Sequence, residues 1–305
     1  MNAPLPAGIH RIPMAAYLAD PCGVPSLNSG TAHRLIVETP MHAYHQHPRL
    51  GGRPSEYTKA SDIGTVSHDM LLGGEGKICS IERSDYRSAP TKENPDGAIP
   101  IGWTNNAIKA ARDKARANGL TPILAEEYGA AKRMADAARA FIAYSEIADV
   151  FDAGESELTV IAQEGKTFLR TRPDWLNLDA GISLSFKTTQ AKVEPEAFDR
   201  MARSMGYWFS TAFYERCLSS AGHPGVRHYV LAQEQTFPYA CSLFRLSPDK
   251  FALELDRVND AIELWGQCME SGRWPGYSGR AHVIEAKPWE LEGGEVEVSW
   301  AGSKA

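Results

Sequence analysis

FLRTRPDWLNLDAGISLSFKTT, residues 168–189, decides the reading of this chain. Its first half alternates like a strand that runs into Asp174. Asn177, Asp179 and Gly181 then supply turn chemistry, and a second strand follows through Lys187. Side chains alternate across a strand with period two. Ile182, Leu184 and Phe186 therefore share one face, and Ser183, Ser185 and Lys187 share the other. Folded back as a hairpin, the segment brings the Asp174 carboxylate towards the Ser185/Lys187 face, a geometry suited to an active centre.

Outward from this hairpin the pattern is mixed. Residues 1–60 are rich in Pro, Gly and His, and within them PSLNSGTAHRLIVETPMHAYHQHPRL predicts a short helix capped by Ser26 or Asn28 and stopped before Pro40. IGTVSHDMLLGG (63–74) sets Ile63, Val66, Met70 and Leu71 at helical spacing, with Gly73-Gly74 as a stop. KICSIER (77–83) alternates like a strand, and 84–104 reads as an exposed loop. An Ala-rich helical stretch is expected from about 104 to 150, interrupted at Gly119 and Pro122. Strands are expected at ELTVIAQ, KTFLRTR and GISLSFKTT. A helix from Pro195 to about Leu218 would carry Phe198, Met201, Met205, Trp208 and Ala212 on one face. A strand pair (226–235 and 239–246) and a last helix from Pro248 to Ser271 complete the pattern. This order predicts an α/β (α+β) fold with a central mixed sheet flanked by helices and an N-terminal helical region.

With 305 residues, 43% hydrophobic and 23% charged, the chain has ordinary globular composition and enough length for a real core. No apolar run approaches the roughly 20 residues that span a bilayer, and the N-terminus does not read as a signal peptide. A cytoplasmic protein is expected. Five widely spaced cysteines without a CxxC favour neither a disulfide framework nor structural zinc. The net charge of −6 argues against a protein that simply coats nucleic acid, though not against one with a local basic groove.

The hairpin resembles the core of PD-(D/E)xK nucleases. Pro173-Asp174 supplies the "PD", and Ser185-Phe186-Lys187 falls where "(D/E)xK" belongs. The flanks resemble the RecE-type (exodeoxyribonuclease VIII) branch. They include GTVSHDMLLG with His68, ESELTV with Glu157, RTRPDWL, SFKTT and GYWFSTAFYERCL, then PYACSLFRL, WPGY (274–277) and Pro288-Trp289. The likeness runs over roughly residues 16–290. It implies a restriction-endonuclease-like core over 61–295, with 1–60 as a cap region of the same domain and 296–305 as a tail.

What the resemblance implies is a metal-dependent DNA exonuclease that resects linear duplex ends for recombination. A RecT-like annealing partner and a homo-oligomer are implied with it. Mg²⁺ (or Mn²⁺) would sit on His68 and Asp174, with Glu157 as a further acid and Ser185 at the position of the second metal-binding acid. Lys187 would position or activate the attacking water. Carboxylate oxygens suit a hard ion, which lowers the pKa of bound water and offsets charge on the phosphoryl group. Arg170, Arg172, Tyr214 and Ser210 are the candidate DNA contacts.

Two departures weaken the match. Ser185 removes a charge and a strong oxygen ligand, and Ser210 stands where related nucleases carry glutamine. Ser185 leaves room for an alternative beside the exonuclease, a catalytically impaired member that binds DNA or a recombination partner. Asp179 and Glu157 are the candidates to replace the missing acid. The spacing HxxHxH at His42, His45 and His47 is metal-like but reads as structural or surface. KAARDKAR (109–116) reads as a solvated helix face, and Trp208 and Phe209 as core.

Overall fold

The computed structural model describes residues 3–52, 62–73 and 77–287. The chain begins with β1 (Gly8–His10), α1 (Met14–Leu18), α2 (Ser29–Val37) and α3 (Pro40–Gln46). The Asn28 side chain accepts a hydrogen bond from the Thr31 N–H and so caps α2. One helix was expected here and two are found. Thr39 caps α3 by accepting from the His42 N–H, and Pro40 occupies the first turn, where its missing N–H costs nothing. The proline that stops one helix starts the next.

The helix α4 (Asp62–Leu72) and strand β2 (Lys77–Ile81) fall where the periodicity puts them. The Ala-rich stretch differs. It forms α5 (Asn106–Ala117), a strand β3 (Leu120–Leu124) and α6 (Ala125–Ile142). β3 pairs parallel to β2 and buries Ile123 and Leu124. The expected helix break is thus a five-residue strand. Pro122 is tolerated because each strand of a two-stranded sheet is an edge.

Next come β4 (Glu155–Ser156), β5 (Thr159–Glu164), β6 (Thr167–Thr171), β7 (Trp175–Asn177) and β8 (Ile182–Thr189). The expected hairpin partner needs correction. β6 belongs to a three-stranded antiparallel sheet ordered β1-β5-β6, and the short β7 pairs with β8. Pro173, which has no N–H to donate, lies in the gap between the end of β6 and the start of β7. The remaining elements are α7 (Pro195–Ser204), α8 (Tyr207–Ser220), β9 (Arg227–Glu234), β10 (Cys241–Phe244) and α9 (Pro248–Ser271). The single helix expected over 195–218 is broken at Gly206, whose φ is +70°. A Cβ there would also lie 2.6 Å from the His33 ring. The break turns Met205 outward, 58% exposed, so it is not part of the apolar face, whereas Phe198, Trp208, Phe209 and Ala212 are buried.

The central sheet is five-stranded and mixed, ordered β10-β9-β8-β7-β4, with β8 and β9 parallel and the other pairs antiparallel. Alternation on β8 divides its surroundings. Ile182, Leu184 and Phe186 pack with Leu71 and Leu72 of α4 and Ala135, Ala138 and Ile142 of α6. On the other face, Ser185 and Lys187 lie beside Val230 and Ala232, which pack against Phe198 and Trp208 of α7 and α8. Each large apolar side chain fully buried in these layers is worth roughly 1.5–3 kcal/mol. A second apolar cluster joins α2, α8 and α9 to β5 and β6 around Trp265.

Two compact units are distinguished, Met1–Pro275 and Gly276–Ala305. Among the described residues no helix is long and apolar enough to cross a membrane. All five cysteines are free. Pro288-Trp289 and the tail at 296–305 lie outside the described residues.

Candidate functional site

Asp174 lies immediately before β7, and the Trp175–Leu184 pairing sets it opposite the C-terminal half of β8. The Phe186 N–H donates to its Oδ2 at 2.7 Å, fixing the carboxylate against the strand. Lys187, the next residue of β8, brings its Nζ to 3.6 Å from the same oxygen. His68 arrives from α4 with Nε2 3.6 Å from Asp174 Oδ1, its ring stacked on Phe186. The three groups named by the sequence reading therefore converge. They line one open cavity of about 410 Å³ together with Asp69, Glu157 and Gln235.

Charge binds this cluster. Burial alone would lower the His68 pKa. The Asp174 and Asp69 carboxylates beside its two ring nitrogens overcome that penalty and raise it to about 9. Burial alone would raise the Asp174 pKa. The Lys187 ammonium first, then His68 and the Phe186 N–H, hold it well below the usual carboxylate range. Asp174 thus lies between two cations, His68 and Lys187, with Asp69 as a second carboxylate on the other ring nitrogen of His68 and Glu157 in the same lining.

The α4–β8 approach that makes this possible depends on Gly64. A Cβ there would stand 2.5 Å from Thr188 Oγ1. Gln235 Nε2 donates to the same oxygen at 3.0 Å, closing the far rim. Residue types and spacing did not point to Gln235, Asp69, Met14 or Tyr207 as site residues. The Tyr207 ring lies 6.0 Å from Lys187 Nζ. Its only sequence signal is helical: Tyr207, Ser210 and Tyr214 recur at i, i+3 and i+7 along α8.

Glu157 lines the same cavity with φ +53°, uncommon for a residue with a side chain. Its N–H donates to the Asp174 carbonyl at 3.1 Å, and its Oε2 accepts from Arg172 Nη2 at 2.9 Å. Arg172 also donates to the Ile12 carbonyl and Thr159 Oγ1 and is buried. Arg170 is 1% exposed; its Nη1 donates to Ser26 and lies 3.3 Å from Asp20 Oδ1. The expectation that both arginines touch a phosphate is thus corrected. Their terminal guanidinium nitrogens are held by buried acceptors of the N-terminal region and, for Arg172, by Thr159 and Glu157, while the Nε of each is buried without a hydrogen-bond partner among the described residues. Arg170 lies on β6 as alternation predicts, whereas Arg172 falls just past its end at Thr171, and alternation could not reveal partners so far away in the chain.

Other candidates are placed as follows. Ser185 is buried one alternation back from Lys187 on the same face. Asp179 is exposed in the turn at the opposite end of the hairpin, beside Gly222–Val226. It is therefore corrected as a replacement acid, because the length of β8 separates it from Lys187. Tyr214 is partly buried, with its ring edge-on to His228 at 4.7 Å. Burial, then the Asp174 charge, raises its hydroxyl to about 12. It acts as packing behind the site, not as a surface contact. Ser210 is half-buried on that same helix face. His47 is buried, its Nε2–H donating to the Ser26 carbonyl, while His42 Nδ1 shares a hydrogen bond with Thr39. Lys109 and Lys114 are exposed, and Arg112 pairs with Asp113.

The donor set does not fit a Mg²⁺ centre. Such an ion takes one or two carboxylates and completes its near-octahedral shell with water, yet here Asp174 faces His68 and Lys187, Asp69 faces His68, Glu157 is tied to Arg172, and residue 185 is a serine. Among the described residues no group of three or more His, Cys, Asp and Glu side chains is arranged to hold a metal ion.

Two likenesses to known proteins bear on the fold, and a third is too distant to carry an argument. The model of a PDDEXK-like domain of unknown function, DUF3799, matches residues 103–287, well over half the chain. The crystal structure of an exonuclease candidate from Eubacterium rectale is similar over 89% of this chain and 94% of its own, with a TM-score of 0.50 at 9% identity. That of a phage-related exonuclease from Haemophilus somnus is similar over 81% and 96%, with a TM-score of 0.31 at 9% identity. The search of curated proteins found no match. At this identity the first structural likeness speaks for the fold alone.

Proposed function

Because the chain belongs to the PDDEXK-like family DUF3799, we propose that it engages the phosphodiester backbone of linear DNA as a catalytically impaired relative of the RecE-type exonucleases. The observation that carries this reading is the convergence of His68, Asp174 and Lys187 on one open cavity, with a serine at position 185 where the motif has its second acid. A phosphate oxygen entering the cavity meets two cations, and Asp174 orients both. Lys187 and His68 supply charge and hydrogen bonds to the phosphate, which suffices for capture. Hydrolysis needs more. With Ser185 in place of an acid, the residues present do not hold the ion that would generate the nucleophile, so cleavage is slow or absent.

A second reading keeps the complete activity. It is a Mg²⁺- or Mn²⁺-dependent exonuclease that resects duplex ends, works with a RecT-like annealing protein and assembles as a homo-oligomer. It is favoured by Glu157, which already lines the cavity beside Asp174 and would become a ligand on release from Arg172.

Binding and nucleotide release on linear duplex, with Mg²⁺ or Mn²⁺, separate the two. The proposal expects tight binding and little release by the wild type, loss of binding in Lys187→Ala, and metal-dependent release by Ser185→Asp. Brisk wild-type release abolished by Lys187→Ala would establish the second reading. A wild type that neither binds nor cleaves linear DNA would overturn both.

A further inference from the structure

β8 and β9 run parallel and end together at the cavity, where Lys187, Thr188 and Gln235 form one rim. The chain then turns through Thr236, Phe237, Pro238 and Tyr239 into β10. Phe237 is 83% exposed, at the tip of this turn. A single exposed apolar residue is ordinary on a protein surface, so exposure alone says little. Two further features distinguish this one.

The first is proximity. Phe237 is two residues from Gln235, so the backbone separation is at most about 7 Å. Gln235 is itself fixed to the cavity wall, its N–H donating to the Thr189 carbonyl at 2.8 Å and its side chain to Thr188. The second is anchoring. The Tyr239 N–H donates to the Thr236 carbonyl at 2.8 Å, and the buried Gln233 side chain donates to the Tyr239 carbonyl at 3.2 Å. The nearly buried Tyr239 ring meets Phe237 edge-on at 6.1 Å and 83°. An apolar ring is thus held out in water beside the polar cavity that contains Lys187, by a turn that is itself hydrogen-bonded in place.

We propose that Phe237 is a stacking platform for an unpaired nucleobase adjoining the phosphate held at Lys187. This inference rests on the DNA reading above and adds to it a preference for single-stranded ends. The chemistry is complementary: Lys187 offers positive charge to the backbone, and the ring offers a π-face to the base one nucleotide away. Stacking accepts any base and requires no sequence readout. The same ring would gain nothing from the paired interior of a duplex, whose bases are already stacked on one another.

The test is fluorescence anisotropy of the full chain with duplex carrying a single-stranded tail, and with the same duplex blunt-ended. Phe237→Ala is expected to weaken tailed-duplex binding roughly ten-fold, within the range of base–aromatic stacking, and to leave blunt-end binding within two-fold. Phe237→Trp should restore the tailed affinity. Tyr144→Ala, which removes an aromatic 95% exposed elsewhere on the surface, should change neither. A 2-aminopurine in the tail should be quenched by the wild type and not by Phe237→Ala. If the wild type binds tailed DNA and Phe237→Ala binds it equally well, the stacking role is overturned while the DNA reading stands. If the wild type binds no DNA, the DNA reading falls and the stacking role falls with it.

Discussion

Replacing Asp174 with asparagine keeps the side-chain shape and deletes the one negative charge between His68 and Lys187. The His68 pKa, raised from 6.5 to about 9, corresponds to roughly 3 kcal/mol of preference for the imidazolium. Most of that preference is owed to Asp174. Asp69 remains in the variant, but burial and the Lys187 charge both push the imidazole down. We therefore expect the His68 midpoint to fall by more than one pH unit in Asp174→Asn. The consequence for stability has a definite sign. A raised histidine pKa contributes stability that is fully present below 6.5 and is lost as pH rises through about 9. Wild-type stability should decline between those limits by up to roughly 3 kcal/mol, and the variant should be flatter. Proton NMR of the His68 ring, assigned with His68→Gln, reads the midpoint, and urea denaturation at pH 6 and pH 9.5 reads the slope. A wild-type His68 midpoint near 6.5, or one unmoved by Asp174→Asn, would refute the ionic cluster.

Three further outcomes follow from the same contacts. Arg170→Met leaves the Asp20 carboxylate buried beside one fewer cation and should cost roughly 3–5 kcal/mol by urea denaturation. Asp20 itself, despite burial that would raise it, is lowered to about 2 by His47, Arg170 and Ser26. Its contribution of roughly 2 kcal/mol is present above pH 4 and lost as pH falls towards 2, a loss that Asp20→Asn should abolish in acid titrations followed by circular dichroism. Gly64→Ala drives a methyl group into Thr188 Oγ1; it should cost roughly 1–3 kcal/mol and weaken DNA binding, with Thr188→Ala in the same chain relieving the thermal destabilisation.

Much of the site was readable before folding because its geometry is local. Alternation on 182–189 assigned Lys187 and Ser185 to one face and Phe186 to the other, and the Phe186 backbone then holds Asp174. Asn28 was readable as a cap for a similar reason: the side chain and the N–H it satisfies lie three residues apart. β3 was not readable, because five residues containing a proline within an Ala-rich helical stretch carry too little pattern until β2 supplies a partner. Gln235 was hidden because its place at the cavity depends on β9 lying parallel to β8, a pairing between segments some 45 residues apart.

The amino-acid sequence by itself determined which chemical groups the hairpin presents, that residue 185 is a serine, and that sheet and helices alternate around it. These depend on side-chain identity and on the backbone periods of strand and helix, which act over a few residues. Tertiary structure decided which charges are free. Arg170 and Arg172 look like phosphate contacts along the chain, yet Asp20, Ser26 and Ile12, more than 140 residues earlier, claim their guanidinium groups. Burying an arginine is tolerable only where acceptors converge on it, and only the folded chain brings those acceptors together.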